Sequence, residues 1–185
     1  MNRHDSILRR HDSLLLVIDF QERLAKVMQR RESVSAEIVR LIKAMKILDA
    51  PVLAAEQYPI GLGSTVGEIL RELEGAPILE KITFSCGGRD EFWRRLKEAR
   101  RSQIIVTGIE THVCVLQTAL DLLANGYQVH VPISATCSRA DENRNNALAR
   151  MEKAGAILTN TESVCFELLV ESGTDEFQAV RKLLV

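Results

Sequence analysis

The chain has 185 residues and carries 24 lysines and arginines against 25 aspartates and glutamates, so its net charge is −1. This length predicts one domain over residues 1–185, because it allows one substantial core and leaves little room for a second. The balanced charge argues against binding to nucleic acid or to an anionic membrane, so we expect a small-molecule substrate.

The first predicted strand is a continuous apolar run at 14–18, which ends at Asp19. Such a run is typical of a strand that is buried on both faces of a parallel sheet. A helical pattern of apolar residues follows over 34–48, and residues 52–55 predict a second short strand. The next segment, 58–70, contains one proline and three glycines and therefore predicts a loop.

Residues 78–81 predict a third strand, which ends at Lys81. A helix that Asp90 can cap follows it, and residues 104–106 predict the fourth strand. A tight connection then leads into a long helix with Cys114 in its first turn. A cysteine in this position lies near unpaired backbone N–H groups and the positive end of the helix dipole, so we expect its thiolate to be favoured.

Residues 127–133 predict a fifth strand and residues 156–159 a sixth, and helices at about 162–170 and 175–184 complete the chain. Strands that alternate with helices at this spacing predict a three-layer α/β/α sandwich, with its core at about 14–170. The simplest arrangement is a six-stranded, mainly parallel, Rossmann-like sheet with strand order 3-2-1-4-5-6.

The predicted topology brings three reactive side chains to the carboxyl edge of the sheet. Asp19 and Cys114 follow neighbouring strands, whereas Lys81 must reach across the second strand to join them. Asp19 could then act as general acid and base, Lys81 could support the thiolate, and Cys114 could attack an electrophilic carbon. The backbone N–H groups of Glu110 and Cys114 could form the oxyanion hole.

Each of these three residues also has an ordinary explanation when it is considered alone. Cys114 could be a packing residue in an apolar helix, Asp19 could cap the turn after its strand, and Lys81 could be a solvated strand end. Their convergence on one edge favours the catalytic interpretation without excluding the others.

Several motifs make the chain similar to a known family, the isochorismatase-like cysteine hydrolases, and most of all to its isochorismatase domain-containing subgroup. They occur in the family's order over roughly 14–169. The motifs are LLLVIDFQERL around Asp19, AAEQYPIGLG at 54–63, LEKITFSC around Lys81, GIETHVCVLQTALDLLANGYQVHV around Cys114, SATCSR at 134–139 and TESVCFELL at 161–169.

The resemblance implies an Asp19, Lys81 and Cys114 triad with Cys114 as the nucleophile. It also implies a cis peptide bond between Ile109 and Glu110, which would direct the Glu110 N–H into the oxyanion hole beside that of Cys114. A homo-oligomer, a dimer or larger, is expected on the same ground.

One departure from the relatives narrows the expected chemistry. The nicotinamidases of this superfamily bind a metal through an Asp-x-His pattern after the second strand, whereas this chain has Glu56, Gln57 and Tyr58 there. We therefore expect no catalytic metal and no other cofactor, and we do not expect nicotinamidase activity. A cysteine-containing member fits the hydrolysis of an amide or related C–N bond better than the cleavage of a vinyl ether.

Other side chains have weaker claims to the site. His112 could line the pocket, but a hydrogen bond to a neighbour is the preferred interpretation. Cys86 could be a packing residue or a redox partner of Cys114. Residues at strand ends and at the helix start are candidates for the wall of the substrate pocket, although each could equally be a core, loop or cap residue: Phe20, Gln57, Tyr58, Phe84 and Thr111.

The four cysteines are widely spaced and form neither a C-x-x-C pair nor a Cys/His cluster, so neither a disulfide framework nor a zinc site is predicted. The beginning of the chain lacks the apolar run of a signal peptide, and we expect a cytoplasmic protein. Two alternatives to a hydrolase stay open: a catalytically silent binding or scaffolding subunit, and a thiol redox protein.

Overall fold

A parallel sheet lies between two layers of helices in the computed structural model, which describes residues 3–184. The prediction of a three-layer α/β/α fold is confirmed. The strands are β1 (Ser13–Ile18), β2 (Val52–Gln57), β3 (Ile78–Lys81), β4 (Gln103–Ile109), β5 (Gln128–Pro132), β6 (Thr136–Cys137) and β7 (Ile157–Thr159).

Six of the strands follow the order β3-β2-β1-β4-β5-β7, so the predicted 3-2-1-4-5-6 order is confirmed with β7 as its sixth strand. The prediction of six strands in total was wrong, because the two-residue strand β6 also belongs to the sheet. It pairs with the end of β4, at Gly108 and Ile109, beyond the residues that pair with β5. Two residues are too few for an alternating pattern to be recognised in the sequence.

Helices connect the strands and cover both faces of the sheet. Short turns of 3-10 helix occur at Arg10–Asp12, Cys86–Gly88 and Ile133–Ala135, and a π-helical turn occurs at Thr111–Val115. The α-helices are α1 (Glu22–Ala25), α2 (Arg31–Ile47), α3 (Pro59–Leu62), α4 (Gly67–Glu72), α5 (Asp90–Ala99), α6 (Leu116–Ala124), α7 (Asp141–Lys153), α8 (Thr161–Leu169) and α9 (Asp175–Leu184).

Strand β1 is buried along its whole length and divides the core into two parts. Side chains of a strand point alternately to opposite faces, so Leu15 and Val17 pack into the core beneath α2, α8 and α9. Leu14 and Leu16 pack into the core beneath α5, α6 and α7. Both faces of the strand are therefore covered, which explains its uninterrupted apolar sequence.

The carboxyl ends of β1 and β4 approach each other closely. Ile18 pairs with Gly108, which has a φ of +113°, and a Cβ atom at Gly108 would collide with the Ile18 carbonyl group. A glycine is therefore needed here. The next residue after β1, Asp19, has a φ of +51°, so the chain turns sharply at the edge where β4 ends.

Candidate active site

The centre of the site is a buried ion pair at the carboxyl edge of the sheet. Lys81 Nζ donates a hydrogen bond of 2.6 Å to Asp19 Oδ2, and the two side chains are 1% and 0% exposed. Because β2 separates β1 from β3, the lysine side chain spans the end of β2 to reach the carboxylate. Charges removed from water to this degree must be compensated by close partners.

The Lys81 ammonium is surrounded by further acceptors. It donates to Gln57 Oε1 at 2.9 Å, to the Phe84 carbonyl at 3.0 Å and to the Thr83 carbonyl at 3.3 Å. Gln57 ends β2, and Thr83 and Phe84 belong to the loop after β3. The lysine thus fixes the backbone of this loop relative to the sheet.

The Asp19 carboxyl group is suited to exchanging a proton near neutral pH. Burial raises its pKa to about 6, while the charge and the hydrogen bond of Lys81 oppose this increase. Its Oδ2 atom is taken by Lys81, whereas the buried Oδ1 atom has no hydrogen-bond partner within residues 3–184. One carboxylate oxygen is therefore free to accept a proton.

Cys114 lies in the π-helical turn that precedes α6 and is 5% exposed. Its thiol is close enough to Asp19 for each group to change the pKa of the other. Burial raises the pKa of Cys114 well above its usual range, the Asp19 charge raises it further, and Lys81 opposes both. This direction is opposite to the expectation that the helix start favours the thiolate, because burial and the Asp19 charge together outweigh the effect of Lys81.

Several backbone N–H groups at the start of this helix donate to no backbone carbonyl group within residues 3–184. The peptide bond between Ile109 and Glu110 is cis. Within the described part of the chain, the N–H groups of Glu110, Thr111 and His112 donate no hydrogen bond to a backbone carbonyl group. The Glu110 carboxylate accepts hydrogen bonds from the Arg139 backbone N–H at 3.0 Å and from Arg139 Nε at 3.2 Å, which holds the connection between β4 and α6 in place.

The candidate pocket residues fall into two groups. Tyr58 and Phe84 are 49% and 56% exposed, and Ile60 and Ile82 are exposed as well, so the two loops that follow β2 and β3 carry four exposed apolar side chains, which we call the apolar rim. Gln57 contacts Lys81 at the end of β2.

The other two candidates do not line an open pocket, which corrects the expectation from sequence. Phe20 and Thr111 are both 0% exposed. Phe20 follows the turn at Asp19 and packs in the core beneath α2. The Thr111 hydroxyl group lies 2.8 Å from the Thr136 hydroxyl group, so it joins the helix start to β6 rather than capping the helix.

Two further candidates, His112 and Cys86, make contacts within the protein that support its structure. His112 Nδ1 lies 2.9 Å from the Ser138 hydroxyl group, so the preferred interpretation of a hydrogen bond to a neighbour is confirmed. Cys86 is 2% exposed, its backbone N–H donates to Thr118 Oγ1, and burial raises the pKa of its thiol to about 12. It is close enough to Cys114 to contribute to the raised pKa of that thiol.

Gln21 was missed in the sequence and proves to tie the loop after β2 to the site. Its buried side-chain amide donates to the carbonyl groups of Gln57 and Gly63 and accepts from the Gln57 N–H. Its position two residues after Asp19 was the available signal, but a glutamine there has many possible roles.

Glu56, near the end of β2, makes structural contacts instead of presenting a free metal donor. Glu56 Oε1 accepts hydrogen bonds from the Thr65 N–H at 2.6 Å and from the Thr65 hydroxyl group at 2.8 Å. Over residues 3–184, no three His, Cys, Asp or Glu side chains are grouped so that they could hold a metal ion. Metal independence stays a prediction about the reaction.

Known proteins resemble the chain over nearly its whole length. A family model described as the isochorismatase domain matches residues 13–163. The secreted isochorismatase effector Isc1 of Phytophthora sojae is 40% identical over 179 residues, which cover 94% of this chain and 85% of that protein. Isochorismatase domain-containing protein 2 of Rattus norvegicus is 36% identical over 173 residues, with coverages of 93% and 80%.

A solved structure has the same fold. The MAR1 ribonuclease from Caenorhabditis elegans superposes with a TM-score of 0.91 at 39% sequence identity, and the match covers 96% of this chain and 92% of that chain.

Proposed function

Because the chain belongs to the isochorismatase family of hydrolases, we propose that it is a metal-independent cysteine hydrolase that cleaves a small amide-like or related C–N substrate. In this proposal Cys114 forms a covalent intermediate and Asp19 is the general acid and base. Lys81 holds the Asp19 carboxylate and stabilises the Cys114 thiolate.

The observation that carries the proposal is the Asp19 carboxylate, which is close enough to Cys114 to change the pKa of its thiol and whose Oδ1 atom has no hydrogen-bond partner within residues 3–184. Lys81 engages the other oxygen of the same carboxylate, at 2.6 Å, and so holds the base in position without blocking it. A thiol with a raised pKa is a poor nucleophile until a base removes its proton during attack. A neighbouring base in this environment supplies that function.

The first half of the reaction forms a thioester. Asp19 takes the proton of the Cys114 thiol as Sγ bonds to the carbonyl carbon of the substrate. The resulting oxyanion accepts hydrogen bonds from the N–H groups of Glu110 and Cys114. Asp19 then returns the proton to the substrate nitrogen, the C–N bond breaks, and ammonia or an amine leaves.

The second half consumes water. Asp19 accepts a proton from a water molecule, whose oxygen bonds to the thioester carbon. The C–S bond then breaks, the proton passes to the Cys114 sulfur, and a carboxylic acid is released. The net reaction is amide plus water giving acid plus amine, so no oxidant, reductant or further reactant is needed.

The apolar rim gives a first restriction on the substrate. The Phe84 carbonyl group contacts Lys81 and Tyr58 follows Gln57 in the chain, and the exposed rings of Tyr58 and Phe84 fit an uncharged, partly apolar molecule. Small aliphatic and aromatic amides are therefore the first compounds to test.

A screen with mass spectrometry tests the proposal directly. The protein is incubated with a panel of small amides, released ammonia is measured, and the intact protein mass is recorded during turnover. We expect an acyl adduct that peptide mapping locates on Cys114 and that is absent from Cys114→Ala. Turnover that persists in this variant would rule out the covalent mechanism.

A silent binding or scaffolding subunit is the alternative that the same screen addresses. No turnover of any panel member, together with no adduct on Cys114 from reactive thiol reagents, would favour it. The intact Asp19, Lys81 and Cys114 arrangement argues for a working enzyme instead.

Ribonuclease activity is a second candidate, because a solved relative at 39% identity is a ribonuclease. The described site favours it less, since the Lys81 ammonium is already engaged by Asp19 and three other acceptors and is 1% exposed at its side chain. Phosphate groups are normally bound by accessible cations or N–H groups. RNA cleavage that is lost in Cys114→Ala would favour this candidate over amide hydrolysis.

Two further expectations concern the state of the protein in the cell. We propose a homo-oligomer, and light scattering would give the number of subunits. Within residues 3–184, none of the helices combines the length and the apolar character that crossing a membrane requires. The cytoplasmic location stays a prediction, and one relative is described as secreted.

A further inference from the structure

A second pocket lies outside the site described above, between α5 and α6. Its volume is about 410 Å³, and it is lined by Gly87, Trp93, Lys97, Asp121, Asn125 and Tyr127. The rings of Trp93 and Tyr127 are stacked, with centroids 6.3 Å apart and an angle of 30° between their planes. The pocket therefore combines an aromatic wall with charged and amide side chains.

The carboxylate in this pocket lacks a cationic partner. Asp121 accepts a hydrogen bond of 2.5 Å from the Ser85 hydroxyl group through Oδ2, and it forms no salt bridge with any residue in the 3–184 range, Lys97 included. It also lies in the last turn of α6, where the negative end of the helix dipole disfavours an anion. A cation bound in this pocket could therefore form an ion pair with Asp121.

The position of the carboxylate next to the indole ring is fixed by the backbone at Gly87. The Trp93 Nε1–H group donates a hydrogen bond of 2.7 Å to the Gly87 carbonyl group. A Cβ atom at Gly87 would lie 2.8 Å from Asp121 Oδ2 and 2.9 Å from a ring carbon of Trp93. The close approach of both side chains therefore depends on a glycine at this position.

We propose that this pocket is a binding site for a small organic cation, such as a quaternary or alkyl ammonium group. Aromatic faces attract a cation through their quadrupole, and Asp121 adds a direct charge interaction. The proposal does not depend on the proposed hydrolase reaction, since none of the pocket residues belongs to the Asp19, Lys81 and Cys114 group.

A fluorescence titration tests this binding, because Trp93 is the single tryptophan of the chain. Choline chloride is titrated at constant ionic strength against its neutral isostere, 3,3-dimethyl-1-butanol. We expect a saturable change in Trp93 emission with choline and at least about tenfold weaker binding of the alcohol, since a cation–π contact and an ion pair together exceed the free energy of a tenfold difference. Equal responses to the two compounds, or a response that never saturates, would overturn the proposal.

Matched variants distinguish choline binding in this pocket from binding to carboxylates elsewhere on the surface. Asp121→Asn keeps an acceptor for Ser85 and should weaken choline binding by about tenfold or more. Glu152→Gln, at an exposed carboxylate outside the pocket, should leave the affinity unchanged. Binding that is undiminished in a folded Asp121→Asn protein contradicts the proposal; if that variant does not fold, the choline and alcohol titrations of the unaltered protein decide it.

Discussion

Two buried thiols, one on each side of the sheet, differ in their neighbours far more than in their ionisation. Cys165 on α8 is 0% exposed, and burial raises the pKa of its thiol to about 12, with smaller effects from Glu37 and Glu162. The pKa of the Cys114 thiol is likewise raised by burial, but Asp19 and Lys81 lie beside it. A base within reach, and not a thiolate at rest, therefore distinguishes the candidate nucleophile from Cys165.

The largest expected effect on turnover comes from removing one of these two thiols, with removal of the other as the control. Cys114→Ala should lower the turnover of an amide identified by the screen by about four orders of magnitude or more, because the covalent route is lost. Cys165→Ala, which removes a buried thiol from the other core, should keep its turnover within about threefold, a difference below 1 kcal/mol. Steady-state ammonia release measures both, and similar losses in the two variants would break the distinction between them.

Asp19→Asn should separate two reactions of Cys114 that otherwise change together. Hydrolysis should fall about 100-fold to 10,000-fold, because the general base is lost. Alkylation by iodoacetamide should become faster at pH 8, because the Asp19 charge that raises the pKa of Cys114 is gone while Lys81 still lowers it. Rates of carboxamidomethylation from peptide mass spectrometry give the second quantity.

The outcome that contradicts this interpretation is slower alkylation in Asp19→Asn with an intact fold. It would mean that the carboxylate favours the thiolate instead of opposing it. Glu110→Gln, at another carboxylate beside the helix start, serves as the control and should change the alkylation rate less.

Lys81→Met should destabilise the protein by about 3–5 kcal/mol, because it removes one partner of a buried ion pair while largely keeping the side-chain volume. It should also slow alkylation of Cys114, since Lys81 lowers the pKa of that thiol. Urea unfolding measures the first effect. Lys43→Met, which removes a partly exposed ion pair with Glu72, should cost less than about 1 kcal/mol.

The sequence allowed the sheet order and the convergence of Asp19, Lys81 and Cys114 to be predicted, because apolar runs reveal buried strands and parallel strands bring their ends to one edge. The raised pKa of Cys114 could not be predicted in this way. It depends on how deeply the thiol is buried and on the distance to one carboxylate, and both are set by side-chain packing. The carbonyl groups of Thr83 and Phe84 were also missed, since backbone acceptors carry no sequence signal. Gln21 was missed because a glutamine at that position has many possible roles.

The pH dependence of the two reactions should distinguish the carboxyl group from the thiol. Asp19 must be ionised to accept the proton, so hydrolysis should decrease as pH falls through about 6, the raised pKa of this group. Alkylation should instead rise by about tenfold per unit from pH 7 to 9 without a plateau, because the pKa of the thiol lies well above this range. A plateau in the alkylation rate near pH 7 would reveal a preformed thiolate. The pKa of Cys114 would then not be raised as that of Cys165 is.

The smallest expected effect concerns the support of Lys81 by Gln57. Gln57→Ala removes the 2.9 Å hydrogen bond to Lys81 Nζ and the 2.6 Å bond from Nε2 to the Ile82 carbonyl group. Net hydrogen bonds contribute about 0.5–1.5 kcal/mol each, so hydrolysis should fall by about tenfold while Cys114 is still acylated. Gln117→Ala, at an exposed glutamine one turn after Cys114, should have no such effect. If Gln57→Ala lowered the rate of hydrolysis as much as Lys81→Met, the position of the lysine would depend on this amide more than on Asp19. The hydrogen bond at the end of β2, and not the ion pair, would then be the main support of the site.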